Sequence, residues 1–134
     1  MEKQSGYMIS GDELFFFDEK PAALPLYEAF AKRLLAELDN VTIKVRKTQI
    51  SFSNKYNFAF VSLLPVRRAK ARPETWITVT FGLQYKKESP RIDVASEPYP
   101  NRWTHHMLIS SVDEIDDELM GWIKEAAAFS AGKR

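Results

Sequence analysis

The order of hydrophobic periods predicts an α+β fold: an antiparallel sheet of five or six strands with an N-terminal and a C-terminal helix packed on one face. Three observations predict it. Apolar residues recur at spacings of three and four near residues 24–38, alternate with polar ones between residues 41 and 109, and return to helical spacing over 115–129. The joins between alternating segments are short, as antiparallel neighbours require. At 134 residues the chain fits one domain that buries roughly two-thirds of its unfolded surface without metal or disulfide support. The expected organisation is a flexible lead-in over 1–13, one α+β domain over 14–130 and a frayed end over 131–134.

Residues 1–11 hold Gly6 and Gly11 among polar neighbours and show no sustained period, hence the lead-in. Residues 14–17 are apolar enough to pack on the body. Pro21 and Pro25 suit a first helical turn, where a missing N–H costs nothing, and Leu24, Tyr27, Ala31, Leu34 and Leu38 place one apolar face opposite Glu28, Lys32 and Glu37. That helix is expected to end near Asp39 and Asn40. Val41, Ile43 and Val45, then Ile50 and Phe52, alternate with polar residues as two strands. Residues 58–63 form a third, a loop with four bases spans residues 65–73, and Ile77, Val79, Phe81 and Leu83 mark a fourth. A short strand over 91–95 and another over 102–110 flank the turn-rich residues 97–101. Ser111 and Glu114 read as a capping box that opens the last helix, with Ile115, Leu119, Trp122, Ile123, Ala126 and Phe129 as its buried stripe. The expected core includes Leu24, Tyr27, Leu34, Val45, Phe52, Phe60, Val79, Phe81, Ile115, Leu119 and Trp122.

The formal charge is +1, yet residues 41–72 carry eight bases and no acid, whereas residues 1–39 carry eight acids against four bases. A positive side on a near-neutral molecule favours anionic partners without selecting one. The absence of cysteine excludes disulfides, thiolate metal sites and thiol catalysis, and suits a reducing cytoplasm, the expected location. No apolar run approaches the roughly 20 residues of a membrane helix and residues 1–20 lack a signal-peptide pattern, so a soluble protein without a membrane partner is expected. Its oligomeric state is not legible.

Pro21 to Tyr27, Val41 to Phe52, Asn57-Phe58-Ala59, Asn101 to His106 and Asp116 to Leu119, in this order, resemble an uncharacterised bacterial family, the domain of unknown function 5655. The resemblance spans most of the chain after residue 20. It implies a compact α+β module, sometimes joined to other domains, and no established activity.

Three surfaces stand out. The first is the hairpin face of Lys44, Arg46, Gln49, Ser51, Ser53 and Lys55, with Lys47 at its turn; an ordinary solvated sheet face is the bland reading and anion binding the sharper one. The second is residues 101–106. His105 and His106 are neighbours, so on a strand they point to opposite faces and cannot chelate one ion. One belongs with Trp103, Met107 and Ile109 in the core, and the other joins Arg102 and Thr104, with Gln49 and Ser51, in a shallow polar groove if the faces coincide. The third is the loop with Arg67, Arg68, Lys70 and Arg72, a phosphate clamp or a plain solvated connection, with Tyr56 and Trp76 as stacking partners. No nucleophile motif, phosphate loop or metal spacing occurs, so no catalytic residue, metal or cofactor is expected. The expected function is non-catalytic binding of an anionic partner at Lys44, Arg46, Lys47, Gln49, Lys55, Arg67, Arg68, Arg102 and His106, nucleic acid first and a phosphorylated small molecule second. A protein-interaction module is the alternative, and a small enzyme with His106, Arg102 and Asp93 in a pocket the least favoured.

Overall fold

The alternating middle of the chain folds as one six-stranded antiparallel sheet, and the helical segments cover one of its faces. The computed structural model describes residues 7–133. Strands β1 (Thr42–Val45), β2 (Gln49–Ser53), β3 (Asn57–Ser62), β4 (Ile77–Leu83), β5 (Val94–Tyr99) and β6 (Arg102–Ile109) lie in the order β1-β2-β3-β4-β6-β5. Helices α1 (Gly11–Phe16), α2 (Leu24–Glu37) and α3 (Asp117–Ala131) complete the fold, with 3-10 turns at Pro21–Ala23, Ala69–Ala71 and Val112–Glu114.

Register decides which residues meet. The cross-strand row Phe52, Ala59, Phe81 and His105 and the row Ile50, Val61, Val79 and Met107 face the helices and are fully buried. Phe52 meets Phe30 of α2 edge-on at 5.6 Å, and Phe81 stacks on Trp122 of α3 at 5.8 Å. The opposite face carries the row Lys44, Ser51, Phe60, Thr80 and His106. Phe60, expected in the core, therefore lies half-buried on the far side, because β3 is apolar on both faces and only its pairing with Ser51 and Thr80 chooses between them.

Three local expectations are corrected. Residues 7–13 of the lead-in are built into the fold: Ser10 accepts from Glu13 N at 3.1 Å while the Glu13 carboxylate accepts from Ser10 N at 2.8 Å, a capping box that opens α1. Residues 1–6 of that lead-in, and Arg134 of the expected frayed end, lie outside the described residues. The capping box at Ser111 and Glu114 is present but caps only a 3-10 turn, and α3 starts at Asp117 with Asp116 accepting from Leu119 N at 3.0 Å. The interruption has a cause: Arg91 donates to Glu114 O at 2.7 Å and Arg33 to Ile115 O at 2.8 Å, so two carbonyls are held by arginines rather than by helical amides. The fifth strand runs through Tyr99 instead of ending at residue 95. Pro100 and Asn101, the latter at φ 61°, suffice for the turn to Arg102, since asparagine tolerates the left-handed region.

His105 fills the core without charge. Its Nε2 accepts from Lys87 N at 2.9 Å, which leaves the Nδ1 proton to face Phe81 O at 3.4 Å, and its ring stacks on Phe81 at 4.9 Å. Burial lowers the pKa of His105 below the ordinary 6.5, and burial lowers that of His106 also. Stability from both is present above pH 6.5; as pH falls below it the unfolded chain takes up protons that the folded chain resists. Urea titrations at pH 7.5 and 5.5 are expected to show a loss of about 1 kcal/mol or more at the lower pH, from a slope of about 1.4 kcal/mol per unit per group. His105→Gln is expected to flatten this dependence, and an equal slope in wild type and variant contradicts the assignment.

Candidate functional site

Antiparallel order sends the connections alternately to the two ends of the sheet, and the basic residues divide between them. One end holds the β1–β2 turn and the long β3–β4 connection; the other holds the β2–β3 turn, the β5–β6 turn and the last turn of α3. Lys44 and Gln49 lie on the face opposite the helices, as do Thr104 and His106, so the sides coincide as the polar-groove reading requires. The groove itself is largely closed. Ser51 is buried, Thr78 Oγ1 donates to Leu64 O at 2.6 Å, and Thr80 Oγ1 meets His106 Nδ1 at 2.8 Å.

At the first end, Arg46 and Lys47 line a cavity of about 570 Å³ with Asp12, Asp18 and Glu19 of the α1 region on its other wall. Arg67 is neutralised: its Nε lies 2.7 Å from Asp93 Oδ1, and Asp93 Oδ2 accepts from Leu108 N at 2.9 Å. Arg68 is exposed at the start of the Ala69–Ala71 turn. Arg72 lines a further cavity, and its Nε is buried without an acceptor.

The second end gathers positive charge, and its nearby carboxylate Glu97 accepts from Asn101 N at 3.0 Å rather than from a cation. The guanidinium of Arg102 lies 5.1 Å from the Phe129 ring and Lys133 Nζ 4.8 Å from the same ring, while Lys55 and Lys133 lie 5.8 and 5.7 Å from the Tyr56 ring. Lys55 Nζ also donates to the Lys133 carbonyl. Among the described residues none of Lys55, Arg102 and Lys133 forms an ion pair, although cations elsewhere in the molecule do: Arg33, Lys87, Arg91 and Lys124 all reach carboxylates. Burial and the neighbouring Arg102 hold the Lys133 ammonium below its ordinary pKa of 10.5. Adjoining cavities of about 130 and 530 Å³ share Arg102, Phe129 and Lys133 as lining.

The positions are dictated locally. Asn54 donates from Nδ2 to Ala127 O at 2.9 Å, and Ser130 Oγ accepts from Tyr56 N at 3.1 Å, so the β2–β3 turn is pinned to the end of α3. That clasp brings Lys55 and Tyr56 to Phe129 and Lys133. Sequence reading missed Phe129 and Lys133 as site residues, treating the first as core and the second as a frayed end. The missed signal was local: Lys133 follows Phe129 by four residues, just past the helix end at Ala131 and Gly132.

Arg102 stands over Phe129, away from His106 and Asp93; Asp93 N donates to His106 O at 2.9 Å, but the His106 ring meets Thr80 and the Asp93 carboxylate is taken by Arg67 and Leu108 N. Among the described residues no three His, Asp or Glu side chains are arranged to hold a metal ion. No helix in that span is long and apolar enough to cross a membrane.

Fold and site together define an α+β domain: a six-stranded antiparallel sheet, helices on one face, and an aromatic and cationic cluster at one end. The chain belongs to the domain of unknown function family DUF5655, whose model matches residues 15–130. No curated protein and no solved structure matches the chain.

Proposed function

We propose that the protein is a non-catalytic binding module for an anionic partner, with single-stranded nucleic acid as the partner and the Lys55, Arg102 and Lys133 end as the contact. One observation carries this reading. Three cations are packed against two aromatic rings and, among the described residues, no carboxylate pairs with them, so like charges repel and an arriving phosphate relieves the repulsion. Partly exposed Tyr56 offers a ring for stacking beside the phosphate contacts. Lys44 and Arg68 are exposed away from this end, Arg46 and Lys47 share a cavity with Asp12, Asp18 and Glu19, Gln49 offers a neutral donor, and Arg67 contributes least because Asp93 already balances it.

Fluorescence anisotropy with a labelled oligothymidine, from about 25 to 200 mM salt, tests the reading. Three phosphate contacts predict a slope of log K against log salt of about −2, the single-strand value for three neutralised charges. Arg102→Ala is expected to weaken binding about tenfold and to make the slope shallower by about one contact, whereas Arg67→Ala leaves affinity within about twofold. No binding at the lowest salt overturns the proposal, and so does equal loss in the two variants. A phosphorylated small molecule is the second reading, favoured by the cavity of about 530 Å³ that Arg102 and Lys133 line. It predicts saturable nucleotide binding without oligomer binding.

A further inference from the structure

The cavity that Arg72 lines, beside the one of Arg46 and Lys47 with which it shares Glu19 and Leu63, carries a different arrangement of charge. It measures about 400 Å³, within the range of small-molecule sites, and lies between the Pro21–Ala23 turn and the β3–β4 connection. Trp76 and Leu63 supply apolar walls, and Arg72, Lys20, Glu19 and Glu74 stand around them. The four charged side chains sum to zero, yet among the described residues none of them forms an ion pair with another or with any third group. Complementary charges that line a half-open space without pairing across it leave room for a partner between them.

Arg72 provides an independent indication. Its Nε is shut away from solvent and has no hydrogen-bond acceptor, the one buried side-chain atom among the described residues in that condition. Buried donors are almost always satisfied, and Arg72 lines the cavity, so a shift of its side chain toward an acceptor there removes the orphan. Turning the guanidinium edge toward a carboxylate inside the cavity supplies that acceptor in the bidentate geometry that arginine prefers.

A simple anion does not suit this space, because Glu19 and Glu74 line it together with Arg72 and Lys20 and oppose a negative charge. A simple cation meets the converse difficulty. A molecule carrying both charges on an apolar body suits the lining: its carboxylate on Arg72, its ammonium toward Glu74, and its flat body against Trp76 and Leu63, while Glu19 and Lys20, adjacent and exposed, offset each other. We propose that this cavity binds a small zwitterion of the chemistry of an aromatic α-amino acid. The site is separate from the cationic end and does not depend on the nucleic-acid reading.

L-phenylalanine is the probe, since it leaves tryptophan excitation clear, with 3-phenylpropionate lacking the ammonium and phenethylamine lacking the carboxylate. Titration followed by tryptophan emission and by saturation-transfer NMR is expected to give saturable binding of L-phenylalanine with a Kd of about 1 mM or tighter. Both analogues are expected to bind at least about tenfold more weakly, and Arg72→Gln to weaken L-phenylalanine to the same degree. Trp76→Phe is expected to remove the emission change while the NMR signal persists, which separates loss of the reporter from loss of the site. A thermal melt of each variant identifies misfolding; if Arg72→Gln misfolds, Glu74→Gln, at an exposed position, carries the test with the same expected loss. No saturation by either method up to about 10 mM, equal affinity for 3-phenylpropionate, or unchanged affinity in a folded Arg72→Gln each overturns the proposal.

Discussion

Phe81→Ala is expected to lower stability by about 4 kcal/mol, the upper part of the range for removing a buried phenyl ring. Phe81 is wholly buried and its ring is shared: it stacks on His105 of β6 at 4.9 Å and 10°, and on Trp122 of α3 at 5.8 Å. Truncation leaves a cavity where β4, β6 and α3 meet, and removes two aromatic pairs worth about 0.5–1.5 kcal/mol each beyond their buried area. Urea unfolding followed by circular dichroism measures the loss. Phe15→Ala, at a side chain that is 77% exposed, is expected to change stability by less than about 0.5 kcal/mol. Comparable losses in the two variants, or a loss below about 1 kcal/mol for Phe81→Ala, contradict the shared-ring account.

Glu13→Ala is expected to cost about 3 kcal/mol, because one buried carboxylate satisfies three donors. It accepts from Ser10 N at 2.8 Å, from Tyr7 Oη at 2.9 Å and from Tyr27 Oη, and Glu13 N completes the capping box with Ser10 Oγ at 3.1 Å. Without it two tyrosine hydroxyls lose the acceptor they share and Ser10 N loses its capping partner, while the bond from the backbone N of residue 13 to Ser10 Oγ remains. Burial, then the bond to Glu13, raises the pKa of both tyrosines above the ordinary 10. Their contribution is complete below pH 10; above it the unfolded chain releases protons that the folded chain retains, so stability falls by about 1.4 kcal/mol per pH unit for each. Urea midpoints from pH 8 to 11 report this. Tyr27→Phe is expected to halve the alkaline slope, and a slope that is unchanged in that variant contradicts it.

Much of the architecture is legible in local spacing. The run Leu24, Tyr27, Ala31, Leu34 and the alternation of Ile77, Val79, Phe81 and Leu83 each need only neighbours two to four residues away, and both became the elements they suggest. Phe60 was not legible, because a strand apolar on both sides has no preferred face until its partners are paired. Glu13 was not legible either. A capping box within a polar stretch is a weak local signal, and the two tyrosines that make it worthwhile come from Tyr7 and from Tyr27. The start of α3 shows the same limit: Ser111 and Glu114 formed their box, but Arg33 and Arg91 took the carbonyls needed to extend it.

For the site, residue types were legible and grouping was not. The basic stretch of residues 41–72 is continuous in the chain but divided in space, because successive antiparallel turns point to opposite ends of the sheet. Lys55 left that group to join Arg102 and Lys133, while Arg67 found Asp93.

The amino-acid order by itself determined the periods, and through them the helices, the strands, the class of the fold and the family to which the chain belongs. Tertiary structure alone decided which cations stay unbalanced, which ring stands between them and where Arg72 lacks an acceptor. The physical reason is range. Periodicity expresses interactions between residues a few positions apart, whereas charge balance and enclosed space depend on register and on loops that bring together side chains as distant as Lys55 and Lys133.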